Sequence, residues 1–99
     1  MSNDRFIPEW ANFKRIKTLA AELANSDYNP IKEKAKALVI ELTDEEKTCR
    51  STVIALTDII YGRADSDKCS DWWTANNLRN VVSAYYFGIE MAQRRCYGM

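Results

Sequence analysis

The sequence predicts an all-α fold: a small, bundle-like single domain of four helices covering residues 1–99. Three observations lead there. Apolar residues recur at intervals of three and four, the spacing that gathers side chains on one face of a helix. Only three Gly and two Pro interrupt the chain, and both Pro stand where a helix would start. Finally, 99 residues that are 46% hydrophobic, with three Trp, three Phe and five Tyr, suffice for one core and leave little room for a second.

The first helix is expected over residues 8–24. Pro8 suits a first helical turn, where a missing N–H is no loss, and Trp10, Phe13, Ile16, Ala20 and Leu23 then form one apolar stripe. Residues 25–29 break the pattern. Asn29 before Pro30 reads as an N-cap with Pro at the first helical position, opening a second helix over 30–42 with Ile31, Ala35, Leu38, Val39 and Leu42 inward.

Thr43-Asp44-Glu45-Glu46 has the form of a capping box, in which the Thr hydroxyl and the Glu46 carboxylate each take a backbone N–H of the first turn. A third helix is therefore expected over 44–61, with Cys49, Val53, Leu56 and Ile60 inward and Gly62 ending it in a left-handed cap. The β-branched residues of 51–61 would also suit a strand. The capping signal and the absence of a partner strand decide for helix. Ile54 and Tyr61, with Thr57 between them, make a lesser stripe opposite that inner face and read as an exposed edge of the core.

The fourth helix, capped by Ser70 or Asp71, is expected over 71–95 and is the longest. Leu78, Val81, Val82, Tyr85, Ile89, Ala92 and Cys96 keep one face. At 100° per residue, Trp73, Ala84, Phe87 and Met91 fall together on the opposite side, with Asn77 and Asn80 among them. Either this helix is central and covered on both sides, or the second stripe is a binding surface. Mixed aromatic and amide surfaces suit protein interfaces. Trp72 sits between the two faces, where a core anchor and a binding anchor look alike.

Composition limits the chemistry. There is no His, so Ser-His and Cys-His couples and histidine-ligated metals are excluded, and no side chain has an ordinary pKa near neutrality. Cys49, Cys69 and Cys96 form an odd set without a C-x-x-C pair, which fits neither a disulfide framework nor a zinc site. Cys49 reads as a small core residue. Cys69, just before the fourth helix, is the one thiol a helix dipole would activate, and a thiol enzyme or redox sensor would centre on it. Asp65-x-Asp67-x-Cys69 echoes a calcium loop, but Ser70 and Asn76 stand where Gly and Glu are needed. No glycine-rich phosphate loop occurs. The sequence thus points to no enzyme, no cofactor and no metal.

Fourteen Lys plus Arg balance fourteen Asp plus Glu. Residues 1–40 carry seven basic and five acidic side chains, 41–71 four and eight, and 72–99 three and one, so the chain runs +2, −4, +2. Apolar runs stop at four residues, as over 37–40, so no membrane span is expected. The unpaired cysteine set makes a reducing cytosol the expected compartment, and the N-terminal residues carry neither a signal-peptide core nor a Gly at position 2.

The function expected is that of a non-enzymatic binding protein of adaptor or inhibitor type. It would present Trp73, Asn77, Asn80, Phe87 and Met91 to a larger protein or, as a dimer, to a second copy of itself. The alternative is a nucleic-acid binder in which Lys14, Arg15 and Lys17 grip phosphates beside Trp10, with Lys32, Lys34 and Lys36 nearby. A helix-turn-helix reading of the second and third helices fails, because Asp44, Glu45 and Glu46 would face the phosphates.

Overall fold

The computed structural model of the chain describes residues 10–64 and 71–97, with side chains as far as Met91. It is all-α: α1 (Phe13–Ala24), α2 (Asn29–Glu41), α3 (Arg50–Arg63) and α4 (Trp72–Tyr97). Each helix packs on two neighbours, α1 on α2, α2 on α3, α3 on α4, and α4 back on α1, which closes a four-helix ring around one core. Phe13 of α1 meets Tyr85 of α4; Arg50 at the start of α3 meets Glu90 late in α4, and Arg63 at its end meets Pro30 at the start of α2, so α3 runs antiparallel to both its neighbours. No described helix is long and apolar enough to cross a membrane.

α1 starts five residues later than the Pro8 reading placed it, and Pro8 itself lies outside the described residues. Asn12 is the cause. Its backbone is extended and its Oδ1 accepts the Arg15 N–H at 2.8 Å, satisfying a donor that the first turn leaves open. Trp10 therefore precedes the helix and is 56% exposed instead of inward, while Leu19 completes the buried stripe of Phe13, Ile16, Ala20 and Leu23. α2 begins at Asn29 with Tyr28 as its cap residue, one position before the expected cap. Its buried residues are Ile31, Ala35 and Leu38, with Leu42 just beyond, whereas Val39 was expected inward and is 39% exposed.

The capping box does not form. Asp44 instead takes the Glu46 N–H on its own Oδ1 at 3.0 Å, and Thr48 donates its hydroxyl to the Asp44 carbonyl at 2.6 Å. This side-chain turn competes with helix, as short polar residues do. α3 consequently starts at Arg50, and Cys49 becomes its exposed cap residue, a correction to its placement in the core. The buried residues of α3 are Val53, Thr57 and Ile60, and Leu56 is half-buried. Thr57 is thus in the core, not at its edge, and its hydroxyl has no partner there. Gly62 has no positive φ and lies within the helix, which ends at Ala64 without a left-handed cap.

α4 runs 26 residues, slightly past the expected end. Ala75, Leu78, Val81, Val82, Tyr85 and Tyr86 are buried, and Trp72 and Ile89 pack against them half-buried. Ala92 and Cys96, assigned to the same face, have side chains outside those described.

Candidate functional site

Among the described residues, no helix covers one side of α4. Because α1 and α3 flank α4, the helix buries a face of roughly half its circumference, and no described helix packs over the residues at 180° to Val82. Trp73 is 69% and Phe87 62% exposed. Asn77 and Asn80 between them are exposed, and Ala84 and Met91 are half-buried. Trp72 reaches the core and meets Trp73 edge to face, with ring centroids 4.7 Å apart, so the outer indole stands on an anchored one.

Beside this stripe lies an open groove of about 760 Å³ between α1 and α4. Trp10, displaced outward by the Asn12 cap, forms one wall with Arg15, and Asn77, Asn80, Ser83 and Phe87 form the other. Trp10 belongs to this surface and not to the core stripe, a placement the three-four spacing hid. Asn12-x-x-Arg15, a cap residue followed by the amide it receives, is the signal that would have revealed it.

The structure divides the basic residues of α1. Arg15 lines the α1–α4 groove, whereas Lys14 and Lys17 line a separate groove between α1 and α2, together with Phe13, Val39 and the acidic Glu45. The third groove, between α3 and α4, is small, about 230 Å³, and its Arg50 pairs with Glu90 at 3.5 Å. Arg50 also lies over the Tyr86 ring and Arg79 over the Tyr61 ring, at 5.8 and 4.6 Å from the centroids. The fourth, between α2 and α3, joins the aliphatic Ala37, Ile40, Ala55 and Leu56 to Glu41, Ser51 and Thr52 and holds no aromatic ring. Ile40 is 70% exposed there. Aromatic and Arg side chains dominate binding energies far more often than aliphatic ones, which sets the α4 surface apart from that patch.

Cys49 is the thiol that the described residues place at a helix terminus. Cys69 is outside the described residues. Cys49 occupies the position the dipole argument needs, at the N-terminus of α3. Its Sγ lies 3.2 Å from the Ser51 hydroxyl, and hydrogen bonds first from Ser51 and then from Thr52 lower its pKa from 9.0 to about 7. Alkylation of Cys49 by iodoacetamide, followed by mass spectrometry of its peptide, should rise to half its plateau near pH 7. Ser51→Ala should move that midpoint toward 9, and an unshifted curve would refute the assignment. No three His, Cys, Asp or Glu side chains among the described residues are grouped to hold a metal ion. The chain matches no protein-family model, no curated protein and no solved structure.

Proposed function

We propose that the chain is a non-enzymatic protein-binding domain that docks through the outward stripe of α4 and the groove beside it. The observation that carries this reading is the pair of large aromatics, Trp73 and Phe87, left mostly bare on a rigid helix whose other face is anchored in the core. Fully covering a large aromatic removes ~150–250 Å² from water, which at about 25 cal/mol per Å² is worth several kcal/mol before association costs are subtracted. Trp10 and Arg15 at the rim add the residue types most often found at binding hot spots.

Three further points support protein over nucleic acid as the occupant. Phosphate binding draws its strength from several cations along one track. Here Arg15 lines one groove, Lys14 and Lys17 another, and Glu45 stands beside the lysines. The stripe itself carries amides and no cation between Trp73 and Phe87 on its outward side. A photoreactive benzoylphenylalanine in place of Phe87, activated in the source cell, tests the reading. A protease-sensitive adduct that disappears with Trp73→Ala is the expected result. A nuclease-sensitive adduct, or no adduct at all, would overturn it.

A further inference from the structure

Trp73, Asn77, Asn80, Ala84, Phe87 and Met91 step along α4 by four, three, four, three and four residues. Positions 73, 80 and 87 and positions 77, 84 and 91 thus each recur every seven residues, the alternation of a coiled-coil seam, and the stripe is narrower than the face a helix turns toward a bundle core. The inward face of α4 is the broad kind, with Ala75, Leu78, Val81, Val82, Tyr85 and Tyr86 all buried. One helix therefore carries two distinct patterns, a broad one buried within the chain and a narrow one that no described helix covers.

We propose that the outward seam is filled by a second copy of α4 lying antiparallel to the first, which makes the chain a symmetric homodimer. This rests on the protein-docking reading and names its partner. In an antiparallel pair the two kinds of seam position face each other. Registering all six residues then sets Trp73 against Met91, Asn77 against Phe87 and Asn80 against Ala84, with a two-fold axis level with Val82. Every layer joins a bulkier side chain to a smaller or more pliable one. Met is well suited to pack against an indole, and Ala at the central layer lets the helices approach. A parallel pair would stack Trp73 on Trp73 and Ala84 on Ala84, crowding one layer and emptying another.

Charge agrees. Self-association places each group against its own kind or its symmetry mate, so a charged seam would repel itself. This seam has no charged residue, and in the flanking rows Ser83 falls beside Ser83 of the partner subunit, while the Glu90 carboxylate falls beside Asn76 of the partner subunit. A strongly acidic partner would instead meet a stripe without a cation. Two such stripes bury roughly 1,000 Å² in total, at the lower edge of specific interfaces, so the dimer is weak and concentration-dependent.

Sedimentation equilibrium of the native chain over a roughly thousand-fold concentration range should show monomer passing to dimer. Trp73→Ala and Phe87→Ala should each weaken that dimer at least about tenfold without altering the circular dichroism of the monomer, since both side chains are mostly exposed. Disulfide trapping reads the register. With Cys49, Cys69 and Cys96 replaced by Ser, chains carrying Asn80→Cys should cross-link with chains carrying Ala84→Cys at least about ten times faster than either does with itself. A disulfide needs Cα atoms within about 7 Å, which only facing positions reach. Faster like-with-like cross-linking would show a parallel pair and overturn the register. A chain monomeric at every concentration would sink the second-copy proposal. If it still gave the Trp73-dependent photoadduct with another protein, the docking reading would stand, and the two failures are thereby told apart. A dimer unaffected by Phe87→Ala would place the contact on another face and also refute the proposal.

Discussion

Leu78→Ala is expected to lower the stability of the domain by about 3 kcal/mol, enough to shift the midpoint of thermal unfolding by roughly 12–24 °C in a domain of this size. Leu78 is fully buried on α4, between the turns that carry Ala75 and Val82. Truncation there removes the transfer free energy of three carbon groups and leaves a cavity that flanking helices can close only in part. Small single domains hold only about 5–15 kcal/mol in total, so this one side chain carries a large share. Ile40→Ala is the matched control, because Ile40 is 70% exposed and its removal should change stability by no more than about 0.5 kcal/mol. Urea melts of both variants check the assignment. A loss under 1 kcal/mol for Leu78→Ala would mean that α4 does not turn this face inward, and the outward seam would then lose its geometric basis as well.

The same contrast explains what was readable in the sequence. The inner stripes of α1, α2 and α4 follow from spacing because burial of Ile16, Leu23, Ile31, Leu38, Leu78 and Val82 dominates their energetics, and periodicity reports burial. Helix starts were less legible because they depend on which of several polar side chains wins a local competition. Asn12 displaced Pro8 as the determinant of α1. At 43–49, Asp44 and Thr48 closed a turn among themselves and took the residues that a capping box would have needed. That single difference moved Cys49 from the core to an exposed helix terminus. Thr57 shows the converse. A hydroxyl at a core position looks out of place by composition, yet the turn of α3 carries it inward between Val53 and Ile60.

For the candidate site, sequence located one wall of the surface and missed the other. The α4 residues could be named because a long regular helix makes angular position calculable from residue number. Trp10 could not, since it lies before the first cap, where no helical angle applies. The partition of Arg15 from Lys14 and Lys17 also needed the tertiary arrangement. Three cations within four residues look like one patch along the chain, but a helix distributes them over grooves shared with different neighbours.

The domain is expected to unfold in alkali, with a steepness set by two adjacent phenols. Tyr85 and Tyr86 are buried side by side on α4, their rings 5.0 Å apart. Burial pushes both pKa values above the ordinary 10.0. For Tyr85 the Glu45 carboxylate, which accepts a hydrogen bond from its hydroxyl, adds to the rise, and for Tyr86 the Arg50 guanidinium opposes it. The neutral phenols are therefore favoured in the folded state, and protons are held more tightly there than in the unfolded chain. Their contribution is complete below pH 10 and is lost as pH climbs beyond it toward the raised folded values. Each phenol that is ionised only when unfolded lowers stability by about 1.4 kcal/mol per pH unit, so the pair sets a limit of roughly 2.7. In a Cys49→Ser background, which removes the thiol whose lowered pKa would raise stability between about pH 7 and 9, urea midpoints should be level up to about pH 9.5 and fall steeply by about pH 11. Tyr85→Phe should cost about 1 kcal/mol at neutral pH through loss of the bond to Glu45, yet lessen the alkaline slope by about half. Midpoints unchanged between pH 9 and 11, or a slope unaffected by Tyr85→Phe, would contradict the burial of these hydroxyls. The test also bears on α4 itself: the two phenols stay protonated only while the helix keeps them turned inward, and that rotation is what leaves Trp73 and Phe87 facing out.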